Sequence, residues 1–210
     1  MPVLTPNTVE EVLTYLGQRP DALLLSGGTD VMVEINMAHR QAPGDVVALR
    51  RVEELRTWRH ESADSDINGG TVTIGSAVPY AEMERGRLAE LFPALAQAAR
   101  TVGSPQIRAA ATLGGNLGTC SPAGDGLPVL TALDAVVHLR SAGAQRDVAV
   151  ADFMVGVKQN VLEPGELITG VSLPVRRGWQ GYSKVGVRNA MVIATASACL
   201  ALDRDRGGVS

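Results

Sequence analysis

The chain has 210 residues, of which 45% are hydrophobic, 20% charged and 3% aromatic, and its formal net charge is −3. This is the composition of a globular protein with an aliphatic core, long enough for one large domain or two small ones, without the basic excess of a nucleic-acid or anionic-membrane binder. Two cysteines, Cys120 and Cys199, and three isolated histidines, His39, His60 and His138, are too few and too far apart for an iron–sulfur cluster or a structural zinc site.

The opening segment MPVLTPNTVEEV lacks the charged and apolar regions of a signal peptide, and no apolar run approaches the roughly 20 residues that span a bilayer, so a cytoplasmic protein is expected. Asn7-Thr8 followed by Glu11 predicts a helix N-terminus, and Val9, Val12, Leu13 and Leu16 share one helical face. Ala22 to Leu25 reads as a short buried strand that runs into a glycine turn at Gly27-Gly28, with VMVEINM a helix after it. VVALRRV is another strand, and Asn68-Gly69 predicts a tight turn before the alternating strand TVTIG. A helical region starts near Pro79 and continues through LAELFPALAQAARTVG until Gly103-Ser104-Pro105 stops it.

A second glycine loop, TLGGNLGTCSPAGD, follows at residues 112–125. LPVLTALDA then has helical spacing, AVVHLRS and GELITGVSLP read as strands, and Pro174 with Arg176-Arg177-Gly178 marks a boundary. GYSKVGVR and VIATASACLALD are strands, and DRDRGG predicts a hairpin turn with no returning strand, which would leave an open sheet edge. The chain is therefore expected to be shortened relative to its natural relatives. Short strands and helices without a regular βαβ rhythm indicate an α+β fold.

The glycine segments Ser26–Asp30 and Thr112–Asn116 carry the chemistry. Outward-pointing amides of a glycine turn form a donor site for phosphate, and a missing Cβ lets the phosphate come close. Neither segment is a standard dinucleotide or ATP fingerprint, and either alone is consistent with a simple turn. Together they favour a clamp on a diphosphate-containing cofactor. No Ser/His/Asp or Cys/His arrangement suggests a catalytic nucleophile or base.

LLLSGGTDVMV, VGSPQIRAAATLGGNLGTCSPAGDGLPVL, GELITGVSLP and YSKVGVRNAMVIATASACLAL resemble, in order, the FAD-binding medium subunit of the molybdenum hydroxylases, the family of xanthine dehydrogenase and carbon monoxide dehydrogenase. The resemblance implies a two-subdomain FAD-binding fold of the PCMH type over residues 1–175, with subdomains of about 1–55 and 56–175. The start of a truncated C-terminal α+β domain would follow at 176–210. It implies non-covalent FAD, its pyrophosphate held between Leu24, Leu25, Ser26, Gly27, Gly28, Thr29, Asp30 and Val31 on one side and Thr112, Leu113, Gly114, Gly115 and Asn116 on the other.

By the same resemblance, Thr119, Ser121 and Asp125 would hydrogen-bond the cofactor, Ile168 would lie near the adenine and Lys184 near the isoalloxazine. Tyr182 would either shield the flavin ring or serve as a plain core tyrosine. The sequence departs from the family at Ala109, where asparagine is usual, and at Cys120, which is either a small residue in a tight loop or an oxidation-sensitive thiol. The implied function is an electron-transfer subunit. A 2Fe-2S partner subunit would supply electrons from a molybdenum-cofactor subunit, and NAD+, oxygen or a quinone would accept them. A self-contained flavin oxidase and a non-catalytic FAD-binding assembly module remain alternatives.

Overall fold

The computed structural model describes residues 3–41, 44–63, 66–203 and 208–209. Its N-terminal part begins with strand β1 (Val3–Leu4) and helix α1 (Val9–Gln18). Thr8 caps α1 by accepting the Glu11 amide, while the Glu11 carboxylate reaches back to the Asn7 amide at 2.7 Å, which satisfies donors the helix leaves open. Strand β2 (Leu23–Leu25), helix α2 (Val31–Asn36) and strand β3 (Val46–Ala48) follow, and the three strands form a parallel sheet in the order β1-β3-β2. Two 3-10 turns, Leu49–Arg51 and Glu53–Arg56, close this part. Val9, Val12, Leu13 and Leu16 pack there against Val47, Leu49, Val52 and Leu55 in a small core.

The larger part is organised on strands β4 (Trp58–Ala63) and β5 (Asp66–Gly75). Five short helices run from α3 (Tyr80–Met83) through α4 (Gly86–Leu91), α5 (Pro93–Thr101) and α6 (Pro105–Ala110) to α7 (Leu113–Thr119). Next come α8 (Leu127–Ala132), β6 (Val136–Arg140), β7 (Gln145–Ala149) and α9 (Val150–Phe153). The hairpin β8 (Met154–Gly156) and β9 (Gln159–Asn160) leads to β10 (Leu167–Pro174). The order β4-β5-β10-β6-β7 makes an antiparallel sheet. Val72, Ile74, Val137, Leu139, Val171 and Leu173 point to one face and meet Tyr80, Phe92, Leu95, Leu113 and Leu130 from the helices. The period-2 alternation of these strands is what a sheet covered on one side requires. Leu167 joins the small core and Ile168 the large one, so the two cores meet where β10 begins.

Strands β11 (Gln180–Val185), β12 (Ala196–Asp203) and β13 (Gly208–Val209) form an antiparallel sheet that lies against the helices. Tyr182, Cys199 and Ala201 belong to the large core.

Several local expectations change. Ala22 is outside β2, whose leucines are half-buried, because β2 is an edge strand. No turn occurs at Asn68-Gly69, since β5 runs through both residues and Ala63 pairs with Asp66 across the hairpin. The helical region after Pro79 is three helices, broken at Glu84-Arg85 and at Phe92, where Pro93 starts α5. Ser104-Pro105 starts a helix as well as ending one, with Ser104 accepting the Ile107 amide. A returning strand does follow the last hairpin: β13 pairs with β12 through Leu202 and Val209. Residues 204–207 of that turn lie outside the described residues.

Candidate cofactor cleft

The second glycine segment is a helix start. Thr112 adopts an extended conformation and its hydroxyl accepts the Gly115 amide at 3.0 Å, so Leu113–Thr119 winds into α7 despite its glycines. Gly114 is required by packing: a Cβ there would sit 2.5 Å from the Ser76 Cβ and 2.6 Å from the Ser76 carbonyl oxygen, which accepts the Gly114 amide. The Asn116 amide closes the first turn on the Thr112 carbonyl. Three amides of this segment are thus already engaged, and a concave row of free donors is not what it offers.

The first glycine segment does offer one. Gly27 touches the other half of the protein, since a Cβ would fall 2.0 Å from the Ala110 carbonyl oxygen. Gly28 takes the left-handed conformation with φ +70°, which lets the chain turn from β2 into α2. Among the described residues, no protein acceptor receives the amides of Gly27, Gly28, Thr29, Asp30 or Val31. The two segments are joined by a hydrogen bond between the Ser26 and Thr112 hydroxyls at 2.9 Å.

Between them lies a cleft of about 810 Å³, within the range of small-molecule and cofactor sites. Leu24, Leu25, Ser26, Gly27, Gly28, Thr29, Asp30 and Val31 all line it, as do Thr112, Gly114, Gly115, Asn116, Thr119, Ser121, Asp125, Ile168 and Lys184. Leu113 is the exception: its side chain is fully buried in the large core, because the residue after a helix cap on this helix faces the sheet. Gly118 opens onto the cleft, and a Cβ there would meet no atom within 4 Å. Ser76, Tyr80, Gly124 and Lys158 also contribute to the wall; they sit in segments whose pattern reads as ordinary strand end, helix and loop.

One end of the cleft is charged. The Lys184 ammonium donates to Asp125 Oδ2 at 2.8 Å and to the Thr101 carbonyl at 3.1 Å, and the two charged side chains are only 7% and 8% exposed. The Tyr182 hydroxyl donates to Asp125 Oδ1 at 2.7 Å. Burial, helped by that carboxylate, pushes the Tyr182 phenol well above its ordinary range, so it stays a neutral donor. Tyr182 packs against the large core and is not part of the cleft wall. Tyr80 is buried beside the cleft, donates to Asn116 Oδ1 at 3.0 Å, and is likewise pushed up by burial and then by Asp125. Across the rim, Lys158 in the turn between β8 and β9 pairs with Glu34 of α2 at 2.7 Å.

Cys120 ends α7 in the left-handed conformation, is 3% exposed, and its thiol donates to the Gln159 carbonyl at 3.2 Å. Burial raises the thiol above its ordinary value, which favours the structural reading of this residue. His138 is less isolated than the sequence suggests. Its ring bridges Asp147 on β7 at 2.7 Å and Ser172 on β10, a serine–histidine–aspartate line that spacing alone does not reveal. These residues share the face of the sheet away from the helices, Ser172 is also bonded to Thr73, and none of them lines the cleft. They form a cross-strand polar ladder. Among the described residues no cluster of three or more metal-ligating side chains occurs.

Residues 1–176 match the model of the family described as "FAD binding domain in molybdopterin dehydrogenase". The chain belongs to this family. It is 34% identical over 212 residues to the nicotinate dehydrogenase FAD-subunit of Eubacterium barkeri, covering 97% of this chain and 69% of that protein. It is 30% identical to the glyceraldehyde dehydrogenase medium chain of Sulfolobus acidocaldarius, covering 93% of this chain and 67% of that one. Among solved structures it resembles carbon monoxide dehydrogenase from Hydrogenophaga pseudoflava with a TM-score of 0.86 and 27% identity, over 95% of this chain and 68% of that one. The α+β fold is thus the FAD-binding fold of this family, FAD is its cofactor, and the protein is an oxidoreductase subunit of the molybdenum hydroxylase type. The cleft suits that cofactor by its own chemistry: amides from Gly27 to Val31 without a protein acceptor among the described residues, open space at Gly118, and a buried lysine–aspartate pair.

Proposed function

We propose that the cleft holds FAD non-covalently and that the chain is the electron-transfer subunit of a molybdenum hydroxylase complex. It would take electrons from a 2Fe-2S partner subunit, reduced in turn by a subunit carrying the molybdenum cofactor, and pass them to NAD+, oxygen or a quinone. The observation that carries this reading is the row of five unpartnered amides from Gly27 to Val31 on the cleft wall. Such donors suit a diphosphate without any lysine beside them. Bound FAD supplies the redox chemistry, and the protein sets its position and electrostatics.

In this reading the geometry supports a role for each residue. Leu24 to Val31 offer backbone donors, and Thr112 ties that segment to α7 through Ser26. Gly114 permits the close approach of α7 to Ser76, Gly115 gives its amide to the Thr112 cap, and Gly118 leaves space a side chain would fill. Thr119, Ser121 and Asn116 present polar groups, and Ile168 an apolar surface. Lys184 is fixed by Asp125 and Thr101, so the ammonium–carboxylate pair holds a position that does not depend on the ligand. Leu113 contributes through the core alone. The division at about residues 55 and 175 and a cytoplasmic location belong to the same proposal; among the described residues no helix is long and apolar enough to cross a membrane.

The test is anaerobic mixing of the FAD-loaded protein with a reduced 2Fe-2S partner subunit. Bleaching of the flavin band by the partner, with no turnover by this chain alone, supports the proposal. Turnover of an organic substrate by the isolated chain favours a self-contained oxidase. Binding of FAD that no partner reduces favours an assembly module.

A further inference from the structure

Ser76 is the residue of the cleft whose chemistry is unaccounted for. It follows β5, where its amide donates to the Thr169 carbonyl and its own carbonyl accepts the Gly114 amide, so its backbone is fully used. Ser76 lines the cleft and is only 4% exposed. Yet its hydroxyl oxygen is buried without a hydrogen-bond partner. A buried hydroxyl with no partner is costly, and native structures keep one chiefly where a ligand or water completes it. Removing the hydroxyl would leave every backbone contact of Ser76 in place, so the packing of β5 on α7 does not explain it.

Its surroundings indicate what completes it. Ser76 is in direct contact with Gly114, the second residue of α7. The helix cap two residues earlier, Thr112, is bonded to Ser26 at the entry to the unpaired amides. Ser76 therefore stands at the junction of the two glycine segments. A serine hydroxyl needs only a rotation about χ1 to change its target, and no protein acceptor holds this one in place. We propose that the Ser76 hydroxyl donates a hydrogen bond to a diphosphate oxygen of bound FAD. The inference rests on the reading of the cleft as an FAD site.

Ser76→Ala is the direct test, because it keeps the Cβ that touches Gly114 and removes the oxygen alone. FAD affinity of the apoprotein, followed by fluorescence titration, is expected to fall about tenfold, the equivalent of one hydrogen bond to a charged acceptor. The ligand-free variant is expected to unfold at the same or a higher temperature, since an unsatisfied buried group has been removed. The ³¹P resonances of bound FAD are expected to move while the visible flavin band stays in place. Ser172→Ala, on the open face of the sheet, is the control and is expected to leave affinity unchanged. Equal FAD affinity of wild type and Ser76→Ala would overturn the inference and leave the FAD site standing. Weaker affinity without a change in the ³¹P signals would overturn the diphosphate contact. Failure of the wild type to bind FAD would overturn the reading of the cleft and this inference with it.

Discussion

Replacing Asp125 by asparagine would keep the shape of the side chain and remove its charge. In the wild type the Lys184 ammonium is 2.8 Å from Asp125 Oδ2, and both side chains are more than nine-tenths buried. Coulomb attraction at that distance is about 6 kcal/mol for an effective dielectric constant of ~20, and desolvation of both groups offsets much of it. The variant is worse than a simple loss of the pair, because Lys184 stays buried with only the Thr101 carbonyl as an acceptor. Breaking a buried pair from one side typically costs about 3–5 kcal/mol, a large share of the ~5–15 kcal/mol that holds a domain folded. Tyr182 also loses a charged acceptor, although an amide oxygen would still take its proton. Urea unfolding of the FAD-free protein measures the loss. Adding Lys184→Met to Asp125→Asn removes the stranded charge and is expected to recover at least about 2 kcal/mol. A loss below about 1 kcal/mol for Asp125→Asn, or no recovery in the double variant, would refute the assignment of a buried, mutually dependent pair.

Gly27→Ala places a methyl group 2.0 Å from the Ala110 carbonyl oxygen, a backbone atom that cannot swing away, so a loss of about 2 kcal/mol or more and weakened FAD binding are expected in thermal melts and titrations. Gly118→Ala has the opposite signature. Its methyl group enters the open cleft within a helix, so the apoprotein should gain up to about 1 kcal/mol while FAD binding weakens. Arg146 holds the Glu166 carboxyl below its ordinary value of 4.5 through hydrogen bonds at 2.7 and 2.8 Å. A depressed carboxylate stabilises the fold fully above its unfolded pKa and loses that contribution as pH falls through the native value. Stability of Glu166→Gln measured against pH should therefore decline less steeply than wild type on the acid side of 4.5. Burial raises both thiols, Cys199 to about 11, so native protein at about pH 8 should react with a thiol reagent at least about tenfold more slowly than unfolded protein.

The helices and strands with strong periodicity were legible in the sequence: α1 from Val9, Val12, Leu13 and Leu16, and β10 from the alternation in LITGVSLP. The second glycine segment reads as a loop in the sequence, and the structure winds Leu113–Thr119 into a helix. Local propensity argues against a helix through Gly114 and Gly115, at about 1 kcal/mol for each glycine, but the Thr112 cap and the contact of Gly114 with Ser76 outweigh it. The Thr112 cap reaches only three residues along the chain, but the Gly114 contact has no local sequence signal, since Ser76 is 38 positions away from Gly114 by their residue numbers. The same limit hid the pairing of His138 with Ser172 and of Lys184 with Asp125, both of which strand register and chain reversal bring together. The motifs mark Asp125 and Lys184 as separate candidates, and neither motif carries a signal of their mutual contact. Leu113 lies within the motif by sequence, although its side chain points into the core.

Whether the cleft between the two glycine segments holds FAD is tested most directly by the visible absorption spectrum of the purified protein, followed by heat release of any chromophore. An FAD-holding cleft gives the bands of an oxidised flavin and FAD in the supernatant, or, for protein isolated without it, saturable uptake of added FAD. A colourless protein that takes up no FAD would contradict it.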